Sequence, residues 1–150
     1  MAQSLSNILL HLVFSTKHRK PWINKDIESE LKAYLATICQ TLKCPTHSIG
    51  CNDDHIHVAC SLARTISVSK LIQELKQDSS KWMKTNGKQY RDFAWQNGFG
   101  AFSIGQSQLE DLRSYLENQR EHHRQLSFQD EFRRICEKYL VPIDERYVWD

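Results

Sequence analysis

The chain is 150 residues long, enough to bury one hydrophobic core and short for two, so a single domain over 1–150 is expected. With 40% hydrophobic and 25% charged residues, four Trp, five Tyr and six Phe, the composition excludes a disordered chain or a polar repeat array. A net charge of +2 says little about partners until the placement of the charges is considered.

The most apolar stretch, Ile8 to Phe14, contains His11 and is far shorter than the ~20 residues a bilayer span needs. No basic-then-apolar leader opens the sequence, and a cytoplasmic protein without membrane contact is expected. Cys39, Cys44, Cys51, Cys60 and Cys136 are odd in number and form no C-x-x-C pair, which favours buried reduced thiols over a disulfide framework or a thiolate zinc cluster. The G-x-G at Gly98 and Gly100 continues to Ser103, matching neither a dinucleotide fingerprint nor a P-loop, so no nucleotide cofactor is expected.

In chain order, Leu5 to Ser15 reads as a strand that is apolar on both faces, with Ile8, Leu10, Leu12 and Phe14 on one side and Leu9, His11 and Val13 on the other; such a strand is central. Asn24 caps a helix whose apolar positions Ile27, Leu31, Tyr34, Leu35, Ile38 and Leu42 follow the 3.6 period up to Pro45. Thr46 to Cys51 and His55 to Leu62 are strand-like runs joined by Asn52-Asp53-Asp54, which predicts a hairpin. Ser67 caps a second helix, to about Thr85, with Val68, Leu71, Ile72, Leu75 and Trp82 as its buried stripe and Asn86-Gly87 as its stop. Phe93 to Ile104 reads as a strand or bulged ribbon. Helices follow from Ser107 to about Arg124 and from about Ser127 to Tyr139, and the tail from Val141 to Asp150 reads as an extended arm whose Tyr147, Val148 and Trp149 need a partner surface. The order β, α, β, β, α, β predicts an α+β fold, a ferredoxin-like or RNA-recognition-like antiparallel sheet with helices on one face and the other face free, followed by C-terminal helices.

The charges are uneven. Lys17, His18, Arg19 and Lys20 form a basic knot, and between Lys70 and Arg91 there are six Lys or Arg against Glu74 and Asp78. Lys81, Lys84 and Lys88 recur at helical spacing, as a solvated face or a phosphate-binding one.

Two constellations carry chemistry. Strand alternation puts His55, His57, Ala59 and Ser61 on one face, with the imidazoles about 6.5–7 Å apart at the backbone, close enough for both to reach one cation. Asp53 and Asp54 stand ready to take the outer imidazole N–H. An H-x-H pair by itself also describes two polar side chains on a wet sheet face. On the helix after Ser107, Leu109, Leu112 and Leu116 make the apolar stripe, and Tyr115, Gln119 and His122 border it one turn apart; there Tyr115 is either a fixed, accessible phenol or an amphipathic packing residue.

Taken together, His55-Ile56-His57 after an Asp-Asp turn, Tyr115 with Gln119, His122-His123, the opening Leu9-x-His11 to Lys17, the segment Trp95 to Ser103 and the tail Asp144 to Trp149 resemble the single-tyrosine HUH transposases of small insertion sequences and the REP-associated tyrosine transposases, over essentially the whole chain. The resemblance implies a metal-dependent transposase that nicks and rejoins single-stranded DNA at hairpin-bearing element ends, with Tyr115 as nucleophile and a 5′-phosphotyrosine intermediate. It implies a divalent metal on His55, His57 and the Gln119 amide oxygen; N/O ligation fits Mg²⁺ or Mn²⁺, and zinc is compatible. It also implies a homodimer in which Tyr115 serves either the metal of its own chain or, in a composite site, that of its partner; the Phe93 to Phe102 ribbon is a dimer contact unless it packs in the core. Lys17, Arg19 and Lys20, with Lys81, Lys84 and Lys88 as a rail, are expected to bind DNA phosphates. His11 lies near the active site or is a satisfied core histidine. The alternatives are a non-catalytic hairpin-DNA or RNA-binding domain of the same fold, and a structural metal protein using His55, His57, His122 and His123.

Overall fold

The computed structural model describes residues 2–122 and 125–150. Strands β1 (Leu9–Ser15), β2 (Thr46–Asn52), β3 (His55–Ser61) and β4 (Gly100–Ile104) form one antiparallel sheet in the order β2-β3-β1-β4, and helices α1 (Lys25–Thr41) and α2 (Val68–Lys84) fill the two crossovers. This is the ferredoxin-like arrangement. β1 is central and buried along its whole length, as its two apolar faces require. Asp53 and Asp54 turn the β2–β3 hairpin, which aligns Gly50 with His57 and Asn52 with His55.

The caps are local and follow the sequence. Asn24 accepts the Ile27 amide at the start of α1, and Ser67 accepts that of Lys70 at the start of α2, each satisfying an N–H that the helix leaves unpaired. The main core lies between these helices and the sheet: Leu10, Leu12, Phe14, Ile56, Val58 and Cys60 face Leu31, Leu35, Leu71 and Leu75. All five cysteines are buried and unbridged, and burial pushes the Cys39 and Cys51 thiols up to about 12, which keeps them inert.

The second face departs from expectation. Helices α3 (Leu109–Glu117), α4 (Gln119–His122) and α5 (Phe128–Lys138) follow β4 and cover it, so the face expected to be free is closed, and His55 and His57 are both 0% exposed. Val13 and Phe102 from the sheet pack here against Phe128, Phe132 and Cys136 of α5. Two glycines permit the close approach: a Cβ on Gly50 would lie 2.7 Å from the Leu116 carbonyl oxygen, and one on Gly100 would lie 2.6 Å from the Phe132 ring.

Three further expectations are corrected. The predicted helix from Ser107 to Arg124 breaks at Asn118, whose amide turns back to the Ser114 carbonyl, 2.9 Å away, in competition with the helix ladder. The ribbon from Phe93 is a strand only from Gly100; Trp95 packs on Phe14 and Phe93 on Trp95 in the main core, the core-packing alternative for these two residues. The tail is not an extended arm. It folds back on its own chain, with Val148 and Trp149 on the α5 cluster, the Arg19 guanidinium donating to the Trp149 carbonyl at 2.6 Å and the Asn97 amide donating to Asp150 at 2.7 Å. Among the described residues no helix is long and apolar enough to cross a membrane.

Candidate active site

β3 delivers His55 and His57 to the second face by simple alternation, and α5 supplies a buried carboxylate between them. Glu131 Oε1 lies 2.9 Å from His57 Nε2 and 3.2 Å from His55 Nε2. Its other oxygen accepts a hydrogen bond from the Tyr115 hydroxyl and one from the Gln119 amide nitrogen at 3.3 Å. One carboxylate thus joins the imidazole pair to the phenol, all within a single chain.

Each imidazole is oriented from behind. His55 Nδ1 hydrogen-bonds Asp54 at 2.6 Å, and the Phe128 ring lies over His55 with a centroid spacing of 4.8 Å. Burial disfavours the His55 cation, but the hydrogen bonds to Asp54 and Glu131 outweigh it and raise the pKa. His57 Nδ1 meets His11 Nε2 at 2.8 Å, the two rings stacked at 5.1 Å. His11 is held neutral, its pKa lowered to about 3 by burial first and by His57 second. Burial, and then the Glu131 carboxylate, push the Tyr115 phenol well up, so it rests protonated.

The donor set suits a small divalent cation. His55, His57 and Glu131 each offer a ligand atom, all within 4.8 Å of one another. Donors about 2.1 Å from an octahedral cation stand roughly 3 Å apart along an edge, close to the spacings of Glu131 to the two imidazoles. Gln119 Oε1 is buried and, among the described residues, has no hydrogen-bond partner, the condition of an oxygen left for a ligand.

Of the other residues singled out from the sequence, Asp53 turns away from the imidazoles, because Arg120 Nη1 holds it at 2.6 Å while its Nε reaches Glu28 at 3.1 Å; this pairing ties α4 to α1 and the hairpin turn. Lys17 and Lys20 are exposed beside that turn, and Arg19 is half-buried under the tail. Lys81, Lys84 and Lys88 are exposed on α2 and the turn after it, across the sheet from Tyr115, so a rail there does not lead directly to the phenol. The His122 side chain and His123 lie outside the described residues. Glu131 was missed, although a signal existed: it interrupts the apolar stripe Phe128, Phe132, Ile135 of a capped helix at a position where an acid is out of place.

A ferredoxin-like sheet bearing a His-x-His pair, with a tyrosine helix laid across it, defines the class of HUH-type tyrosine transposases. The chain belongs to the IS200-like transposase family, whose profile matches residues 4–119, and the family expected from the resemblance is thereby the family found. Among solved structures it is similar to a provisionally assigned transposase from Deinococcus radiodurans R1, at 16% identity and a TM-score of 0.62, covering 79% of this chain and 98% of that one. It is also similar to a REP-associated tyrosine transposase bound to a REP hairpin, at 12% identity and a TM-score of 0.59, covering 82% of this chain and 74% of that one. No curated protein matches. α5, with Glu131, lies beyond the segment that the family profile covers.

Proposed function

We propose that this transposase-family chain cuts and rejoins single-stranded DNA by attack of the Tyr115 oxygen on a phosphodiester. What carries the reading is the meeting of Tyr115 Oη, His55 Nε2, His57 Nε2 and the Gln119 amide around the Glu131 carboxylate in one chain.

A divalent cation held by His55, His57, Gln119 and Glu131 would supply polarisation of the scissile phosphate and stabilise its developing charge. A phenol raised above its ordinary value is a poor nucleophile until its proton has somewhere to go. Glu131 Oε2 is placed to take that proton as the Tyr115 O–P bond forms. The P–O3′ bond breaks, the 3′-oxygen leaves and acquires a proton, and the 5′-phosphate stays on Tyr115. The reverse step, with another 3′-OH as attacking group, joins strands without an external energy source. Asp54 and His11 orient the imidazoles, and the packed α5 keeps bulk water from their inner nitrogens.

The likeness to a relative bound to a hairpin supports hairpin-bearing single strands as the substrate class. The unaltered chain with Mn²⁺ or Mg²⁺ and a 5′-hairpin oligonucleotide, labelled 3′ of the scissile bond, is expected to give a covalent adduct on denaturing gels. Tyr115→Phe is expected to bind the oligonucleotide and give none; an adduct from that variant would assign the chemistry to another residue.

A further inference from the structure

We infer that the cleft between α3 and α5 is the path by which the strand to be cut reaches Tyr115, with Arg134 and Lys138 of α5 holding its phosphates. The inference rests on the function proposed above and adds a binding surface to it. The cleft has a volume of about 860 Å³, and Tyr115, Glu131, Arg134 and Lys138 all line it. Glu131, Arg134 and Lys138 follow one another at i, i+3 and i+7, the spacing of a single helix face. The face therefore runs from the buried carboxylate at the site to two cations further along, with Arg134 and Lys138 about 6 Å apart along the axis.

Both cations are exposed, and among the described residues neither makes an ion pair. Their neighbour Arg133, by contrast, is neutralised by Asp130 at 2.9 Å and Glu145 at 2.6 Å. The two free charges are also felt at the site: that of Arg134 acts on the Tyr115 phenol, and that of Lys138 on His11. The α3 wall carries Asp111. A phosphate chain is repelled from that wall and attracted to the α5 wall, which sets one track through the cleft. A flexible single strand can follow such a track between two helices, with cations along its backbone.

The test is binding of an unstructured oligonucleotide spanning the cleavage point, followed against salt. Each phosphate contact on a single strand adds about 0.7 to the slope of log K against log salt. Arg134→Gln with Lys138→Gln is expected to lower the slope by roughly 1.4 and weaken binding by about tenfold at moderate salt, with an unchanged circular dichroism melt. Lys25→Gln with Arg91→Gln removes as much charge from exposed positions away from the cleft and is expected to leave the slope as it was. An unchanged slope in the first double variant, or an equal loss in both, overturns the inference. Since the slope reads binding alone, a missing Tyr115 adduct in the unaltered chain counts against the proposed reaction and leaves the cleft to be judged by its own measurement.

Discussion

Gly50 is the ladder partner of His57, and a methyl group on its α-carbon would stand 2.7 Å from the Leu116 carbonyl oxygen and 2.8 Å from Gln119 Cγ. The absence of a side chain on an edge strand therefore sets how closely the end of α3 lies on the sheet, and with it where Tyr115 and Gln119 stand relative to the imidazoles. Gly50→Ala is expected to push α3 outward and cost about 1–3 kcal/mol, the usual range for overpacking a filled interface. Urea unfolding measures the cost, and adduct yield measures the displaced phenol. Wild-type values of both would mean that the helix is not held by this contact.

Glu131 faces both imidazoles, the phenol and the Gln119 amide, so its charge has more to do than its shape. Glu131→Gln preserves size and removes charge. It is expected to weaken Mn²⁺ binding by at least tenfold by calorimetry and to slow adduct formation by about 10²–10⁴, the range for loss of a general base. A variant that keeps both rates and affinity would reduce Glu131 to a packing residue.

His11 hydrogen-bonds His57 from behind and acts as a positioning residue. Its Nε2 shares one hydrogen bond with His57 Nδ1, so the tautomer of the His57 ring is coupled to that of His11. His11→Phe is expected to keep the stacked ring and the fold while lowering Mn²⁺ affinity by about 10–100-fold, as seen when a partner behind a ligand is removed. Nitrogen NMR of His57 offers a second readout, a tautomer shift that a purely structural role would not produce.

Without metal, stability is expected to fall on both sides of a maximum near the ordinary histidine value. The raised pKa of His55 means that its contribution is complete below 6.5 and is lost as pH rises through the folded value. The depressed pKa of His11 works in the opposite direction: between 6.5 and about 3 the unfolded chain takes up a proton that the folded chain refuses, so stability falls on acidification. Urea midpoints across pH, in the presence of a chelator, measure both limbs. His11→Phe is expected to flatten the acid limb alone; an acid limb of unchanged steepness would place its origin elsewhere.

Local chemistry was legible in the sequence because it acts over a few residues. Asn24 and Ser67 cap the helices they were expected to cap, since a cap needs only its own first turn, and Ser127 stands where the last helix was expected to begin. His55 and His57 share a face because strand alternation places them there, and the two-faced apolarity of Leu9 to Ser15 marks a central strand. The order of elements led to the sheet topology for the same reason: each crossover connection is short and regular.

What lay between distant segments was decided only by the tertiary structure. Glu131 meets His57 across 74 positions, and no periodicity encodes that distance; its misplacement in an apolar stripe marks it as buried but not by what it is faced. Asp53 and Asp54 are adjacent and alike in sequence, yet one holds His55 and the other Arg120, because Arg120 arrives from α4 on the side of Asp53. The closing of the second face has a similar origin. Gly50 and Gly100 are simple interruptions of strand pattern until Leu116 and Phe132 come to rest on them, and packing at that density leaves the partner, not the glycine, to define the site.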